Sequence, residues 1–172
     1  AIAVAHHRDD SVESILLNLI RGTGIDGLRG IRAKNGSVIR PLLEESRESI
    51  LDYLQHIGQP FVTDSTNLQN DYTRNKIRLE VIPMLQTINP SVLESISASA
   101  SYLDEVAEVF HQERQEAMKR VMSQQEGMDC IYIHSLLQEV APMSLLHEIL
   151  SPLGFNSSQV TDIYQSLEGH SG

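Results

Sequence analysis

Two polar clusters hold the residue types from which catalytic and binding sites are usually built. The first is His6-His7-Arg8-Asp9-Asp10 with Glu13. His6, Asp10 and Glu13 stand four and three residues apart, so on a helix that begins early enough they project from one side. An imidazole and two carboxylates so placed can bind a divalent cation, hold a phosphate-bound magnesium, or act as acid and base. The same spacing also suits a purely structural use, Asp10 as helix N-cap with Glu13 as its reciprocal N3 partner. The second cluster is Asp64-Ser65-Thr66-Asn67 followed by Arg74-Asn75-Lys76-Ile77-Arg78. Arg74 and Arg78 are one helical turn apart, so both guanidinium groups can reach one anion, and their fork geometry suits phosphate. A helix face salt-bridged to Glu80 or Asp71 would use them equally well. His111, His134, His147 and His170 stand alone and read as structural or solvated.

The elements that must position these groups follow from periodicity and punctuation. Ala1 to Ala5 is a small apolar run that reads as a buried strand of a parallel sheet. A native chain rarely opens on such a strand. Val12, Ile15, Leu16, Leu19 and Ile20 then recur at helical spacing, with Gly22 as the stop. This strand-turn-helix order puts the first cluster at the carboxyl end of a strand, where open parallel sheets collect ligands. The segment Gly22, Gly24, Gly27 formally matches a dinucleotide fingerprint, but that fingerprint needs a strand before the glycines and a helix after them. Here a helix precedes, so the segment is a loop.

Val38 to Arg40 reads as a short extended piece, Ser46 to Ile57 as a helix with Ile50, Leu51, Leu54 and Ile57 on one face, and Pro60 to Thr63 as a short strand. Asp64 to Asn67 reads as a polar turn. A helix from about Tyr72 carries Ile77, Val81, Met84, Leu85 and Ile88 inward, and Pro83 should kink or restart it. Asn89-Pro90 opens a helical stripe of about thirty residues through Val92, Leu93, Ile96, Ala100, Leu103, Val106, Ala107, Phe110, Ala117 and Val121, roughly 45 Å long, with a break expected near Ser97 to Ser101. The domain boundary is placed at 90/91. Beyond Gly127 come a brief strand at Cys130 to Ile133 and short helices at Ser135 to Val140, Pro142 to Leu150 and Ser157 to Leu167, the last capped by Asn156 or Ser157.

Of the 172 residues, 41% are hydrophobic and 21% charged, enough apolar material for one domain or two small ones. No run approaches the ~18 apolar residues of a membrane span, and the opening lacks the basic flank of a secretory signal; a cytoplasmic location is expected. The single cysteine, Cys130, excludes an internal disulfide and any multi-thiolate zinc site, and reads as a buried, inert thiol. A net charge of −10 argues at first against a nucleic-acid partner. Its distribution softens the objection. Residues 1–90 carry 10 Lys and Arg against 11 Asp and Glu, whereas residues 91–172 carry 3 against 12. Contact with RNA is therefore expected in the first half, around Arg21, Arg29, Arg32, Lys34 and Arg40.

Taken in order, Ala3-Val-Ala-His-His-x-Asp-Asp-x-x-Glu13, Leu16-Leu-Asn-Leu-Ile-Arg-Gly-Thr-Gly-x-x-Gly-Leu28, Ile39-Arg-Pro-Leu-Leu43, Asp64-Ser-x-Asn67 and Arg74-Asn-x-Ile-Arg78 with a following Ile-Pro resemble the tRNA(Ile)-lysidine synthetases of the PP-loop, or N-type ATP pyrophosphatase, family. The match is dense over residues 3–90; beyond 91 it is only to a long helix and a small helical connector. The resemblance implies an α/β fold, the C-terminal half of a parallel-sheet ATPase domain at 1–90 followed by a mainly α connector at 91–172. It implies ATP-dependent ligation of lysine to the wobble cytidine of tRNA(Ile) bearing a CAU anticodon, through an adenylated intermediate, with ATP and Mg2+. By the same resemblance His6, Asp10, Glu13, Arg74 and Arg78 are catalytic, Asp10 is a Mg2+ ligand, and Arg21, Gly22, Gly24 and Asn75 lie near the tRNA. The family's Ser-Gly-Gly-x-Asp-Ser pyrophosphate loop occurs nowhere in the sequence, so the chain reads as an inactive fragment beginning partway through the ATP domain and ending before a further C-terminal domain. Its cut sheet edge favours a homodimer. Two other functions fit the residues: a metal-dependent hydrolase using the first cluster, and a non-catalytic helical tRNA- or protein-binding module.

Overall fold

The computed structural model describes residues 1–62 and 72–168. The fold divides into two compact units, Ala1–Ala107 and the remainder from Glu108 on, the division falling inside one long helix. Within the first unit, β1 (Ile2–Ala3), β2 (Lys34–Asn35) and β3 (Val38–Ile39) form a sheet of order β1-β3-β2. β1 pairs with β3 in parallel, Ile2 opposite Val38, whereas β2 and β3 form an antiparallel hairpin. The parallel strand is present but not buried: Ile2 is 61% exposed, because β1 has a single strand neighbour and none of the described residues cover its outer face.

Helix α1 (Arg8–Arg21) follows β1 and ends at Gly22, whose φ of +80 suits a residue without a Cβ. Its N-cap is His7, with Asp10 as the N3 partner, rather than Asp10 with Glu13. That three-residue shift frees the Glu13 side chain to turn inward, where it is 2% exposed beside Val12 at 0%. The inward face is Val12, Ile15, Leu16 and Leu17; the expected Leu19 and Ile20 are 59% and 62% exposed. A single turn, α2 (Ile25–Leu28), folds back on α1. Asn18 Nδ2 donates to the Gly27 carbonyl and Ser11 Oγ accepts from the Ile31 amide, both at 2.9 Å. The glycines serve this close approach. At Gly30 (φ +74) a Cβ would lie 2.3 Å from Ser11 Oγ. Arg29, which the charge pattern offered to RNA, is buried and clamped between Asp104 (Nε to Oδ1, 2.5 Å) and Asp26 (Nη1 to Oδ1, 3.1 Å).

Helix α3 (Arg47–His56) is capped by Ser46. Pro60 to Val62 has no strand pairing, contrary to expectation; Thr63 and the turn at Asp64 to Asn67 lie outside the described residues. α4 (Tyr72–Lys76) runs through a π-helical turn, Ile77–Val81, into α5 (Ile82–Ile88). The turn precedes Pro83, which lacks an amide hydrogen and whose ring would meet the carbonyl four residues back; a wider turn relieves both. The extra residue rotates the helix by about 100°. Ile82, 7% exposed, thus enters the core with Ile77 and Leu17, while Met84 and Ile88, expected inside, are 66% and 75% exposed.

Helix α6 (Val92–Val121) is unbroken through Ser97 to Ser101. Of its buried positions, Ala100, Ala107, Arg114 and Val121 recur every seven residues and Ala117 joins them in the last turns, while Val106 and Phe110, expected inside, are 56% and 41% exposed. In the second unit α6 leads into β4 (Met122–Gln125), paired with β5 (Met128–Ile131) about Glu126 and Gly127, both at positive φ as a two-residue hairpin turn requires. Cys130 sits on β5, half-buried rather than buried. Helices α7 (Ile133–Gln138), α8 (Pro142–Leu150) and α9 (Ser157–Glu168) close a core of Ala117, Val121, Leu136, Leu145, Leu146, Ile149, Leu150 and Val160. Full burial of a Leu or Val here contributes about 1.5–3 kcal/mol. Asn156 and Gln159 cap α9 reciprocally, at 3.0 and 2.9 Å. Arg114 is held by Ser144 (Oγ and carbonyl, both 2.9 Å), by Glu148, and over the Phe110 ring at 5.1 Å.

Candidate functional site

The mouth of α1 and the α4–π-turn segment meet in one place. Arg78 donates to both oxygens of Glu13, Nε to Oε1 at 2.5 Å and Nη2 to Oε2 at 2.8 Å. Arg74 Nε lies 3.4 Å from Glu13 Oε2, and its Nη2 donates to Ser14 Oγ. The paired guanidinium groups do share an anion, and that anion is the chain's own. A carboxylate buried to this degree is tolerated because it is bidentately paired; alone, it would cost several kcal/mol, about 3–5. The hydrogen bond from Arg78 raises that guanidinium's pKa above its ordinary value, helped by the charges of Glu13, Asp10 and Asp9 and opposed by burial. Both arginines keep about a third of their side chains exposed, 33% and 30%, so each can still face a second anion.

Asp10 accepts from the His7 amide through Oδ2 at 3.0 Å, while His7 Nδ1 accepts from the Asp10 amide at 3.4 Å. The other Asp10 oxygen, Oδ1, lies 3.5 Å from Arg78 Nη2. Asp10 therefore caps the helix with one oxygen and turns the other toward the cleft. Asp9 Oδ2 accepts from the Arg47 amide at 3.4 Å, and Arg8 reaches Glu94 at 2.7 Å. These bonds tie the starts of α3 and α6 to the start of α1.

His6 follows β1 and Arg40 follows β3, so they lie at the carboxyl ends of adjacent parallel strands. Arg40 Nε donates to His6 Nδ1 at 3.1 Å and Arg40 Nη1 donates to the Arg32 carbonyl at 2.8 Å. From the charge pattern alone Arg40 reads as part of a basic surface. The signal for this contact is its place at the end of the extended piece Val38 to Arg40, as His6 stands directly after Ala1 to Ala5. Ser14, the partner of Arg74, carried no such signal.

Not every expected residue joins this cleft. Arg21, Gly22 and Gly24 sit at the far end of α1, about 16 Å from Asp10 at 1.5 Å per residue. Gly24 precedes α2 and Gly22 ends α1, so neither cradles a phosphate at a helix mouth beside His6. Asn75 lies between the two arginines on α4. Among the described residues no three His, Cys, Asp or Glu side chains converge as metal ligands: Glu13 is taken by two arginines, His6 Nδ1 by Arg40, and His7 by the helix cap. That geometry disfavours the hydrolase reading. A magnesium shared with substrate phosphates needs only one or two carboxylates, and Asp10 Oδ1 fits that lesser requirement.

The PP-loop domain family matches residues 1–85 and the TilS substrate binding domain family matches residues 123–172. A tRNA(Ile)-lysidine synthase of Bacteroides thetaiotaomicron is 56% identical over 171 residues, covering 99% of this chain and 39% of the relative. The enzyme of that name from Parabacteroides distasonis is 45% identical over 172 residues, 100% of this chain and 39% of the relative; one from Porphyromonas gingivalis is 36% identical, with 99% and 37% covered. The chain thus spans about two fifths of the length of the curated relatives it matches. With the carboxylate-guanidinium cleft lying inside the PP-loop match, and identity running from one family match through the other, the chain belongs to the tRNA(Ile)-lysidine synthase family.

Proposed function

We propose that this chain supplies part of the reaction centre of an ATP-dependent carbon–nitrogen ligase that joins lysine to the wobble cytidine of tRNA(Ile) in the cytoplasm. The single observation that carries the reading is the meeting of Arg74 and Arg78 with Glu13 and Asp10 at the carboxyl end of β1. The proposed chemistry activates the cytosine oxygen as an adenylate and lets the lysine amine displace AMP at the ring carbon. Both steps spread negative charge over phosphoryl oxygens, and preorganised cations stabilise such charge most effectively where water is scarce. Arg74 and Arg78, held by Glu13 and still partly exposed, fit that role; Glu13 is then a positioning residue. Asp10 would hold Mg2+, which when bound neutralises the pyrophosphate. In this reading residues 1–90 are the ATP-pyrophosphatase half, residues 91–172 the helical connector, and Arg21, Gly22, Gly24 and Asn75 face the tRNA. Two copies would pair along the open edge of β1, a point checked by light scattering, where a monodisperse monomer would count against it.

Residues 1–172, which lack a Ser-Gly-Gly-x-Asp-Ser segment, are expected to release no measurable AMP alone. The test is a chimera in which residues 1–172 replace the matching stretch of the Bacteroides thetaiotaomicron relative. It should form lysidine on tRNA(Ile), and D10N or R78A should lower kcat by about 10²-fold or more. An inactive but folded chimera would refute the reading, as would full activity of both variants.

A further inference from the structure

Among the described residues, every polar atom of Glu13 and the cap of His7 has a partner inside the protein, but His6 is bonded at one ring nitrogen only, Nδ1. Arginine has no acceptor. The nitrogen it touches must therefore carry the lone pair, and the ring proton sits on Nε2. Arg40 is itself fixed: its Nη1 bonds the Arg32 carbonyl at 2.8 Å and its backbone amide bonds the Ala33 carbonyl at 2.9 Å. Both residues extend strands whose register is set by parallel pairing, Ala3 opposite Ile39, with the Val4 amide bonded to the Ile39 carbonyl at 2.9 Å.

We infer that Arg40 is a positioning residue that locks His6 in its Nε2–H tautomer, making His6 a hydrogen-bond donor to an anionic oxygen of the substrate, of the phosphoryl or adenylate class, rather than a general base or a metal ligand. The inference rests on the ligase reading for the identity of the substrate, but not for the tautomer. A base would need a free ring nitrogen, and a donor needs a fixed N–H; the Arg40 bond removes the first and supplies the second. The half-buried setting of His6 leaves Nε2 without a protein acceptor among the described residues, as a ligand-facing donor must be.

Arginine Nε and glutamine Nε2 occupy the same place along the side chain, so R40Q keeps the N–H that meets Nδ1 and removes the charge, whereas R40M removes both. Nitrogen-15 NMR of the His6 ring in residues 1–172 should show protonated Nε2 and unprotonated Nδ1, a mixed tautomer in R40M, and the original pattern in R40Q. In the chimera, H6A should lose about 10²–10³-fold in kcat, the loss seen when one preorganised donor is removed. H6Q, whose amide nitrogen takes the place of Nε2, should recover at least tenfold over H6A, and R40Q should exceed R40M. A wild-type His6 protonated at Nδ1 would overturn the tautomer assignment. H6A turnover equal to wild type, or H6Q no better than H6A, would overturn the donor role. Failure of the wild-type chimera to form lysidine would instead refute the ligase reading, with the NMR arm still deciding the Arg40–His6 claim.

Discussion

Glu13 illustrates how one side chain can satisfy two expectations at once. His6, which the spacing placed on one helix side with Asp10 and Glu13, lies before the N-cap of α1 and meets Arg40 instead, while Glu13 is the anion that Arg74 and Arg78 share. R78A should strand a carboxylate that is 2% exposed and destabilise the chain by roughly 3 kcal/mol, the low end of the range for a broken buried pair because Arg74 remains; urea unfolding measures it. R78K keeps the charge but not the two parallel bonds, and should recover only part of the loss. At the other end of the chain Arg120 bridges Glu139 (2.8 Å) and Glu113 (2.7 Å). Its hydrogen bond lowers the Glu139 pKa below the ordinary value, as Lys119 lowers that of Glu116. A carboxylate with a depressed folded-state pKa contributes stability that is complete above the ordinary carboxylate range and fades as pH falls through the lowered value. Melting temperature should therefore drop on acidification below about pH 4.5, and E139Q should show a shallower drop than wild type.

At the scale of elements, the glycine loop separates packing from binding. Gly30 lies at φ +74 with Ser11 Oγ where its Cβ would stand, whereas Gly24 has φ −78 and open space. G30A should cost about 2 kcal/mol from the strained backbone and the displaced Ser11 bond, while G24A should change stability by only a few tenths, as exchanges at uncrowded positions do. Thermal melts decide this. If G24A weakens tRNA binding without altering the melt, the loop's expected role near tRNA gains a residue of its own. The π turn explains the largest error of phase. Helical periodicity read straight through Pro83 puts Met84 and Ile88 in the core, but one extra residue in the turn substitutes Ile82. The proline was legible in the sequence; the wider turn that relieves it was not, because nothing local distinguishes a kink from an inserted residue.

For the whole molecule, charge is the deciding quantity. All three cations beyond residue 91 are paired, Arg114 with Glu148, Lys119 with Glu116, and Arg120 with Glu113 and Glu139, and residues 123–172 contain no Lys or Arg. The proposed contact with tRNA phosphates is therefore expected in the first unit, where Arg29 is clamped and Arg40 is engaged but Arg32 and Lys34 are exposed. In the chimera, R32A with K34A should weaken tRNA binding at every salt concentration and reduce the slope of log K against log salt by about 2. Glutamate-to-glutamine changes at 126 and 148 should leave that slope unaltered.

By itself the sequence determined the strand-turn-helix opening, the long helix from Asn89 onward, the three C-terminal helices and the family, because caps, stops and 3.6-residue periodicity are local signals and ordered blocks are specific ones. It also located the two polar clusters, carboxylates with imidazole in the first and a guanidinium pair in the second. The tertiary structure decided which groups meet: Arg78 on Glu13, Arg40 on His6, Ser14 on Arg74, and Arg29 withdrawn from the surface. It also decided the pairing of β4 with β5 and the exposure of β1. The four side-chain contacts join residues 34 to 75 positions apart, and a hydrogen bond of a few ångströms depends on how helices and strands pack, a property that no stretch of chain specifies alone.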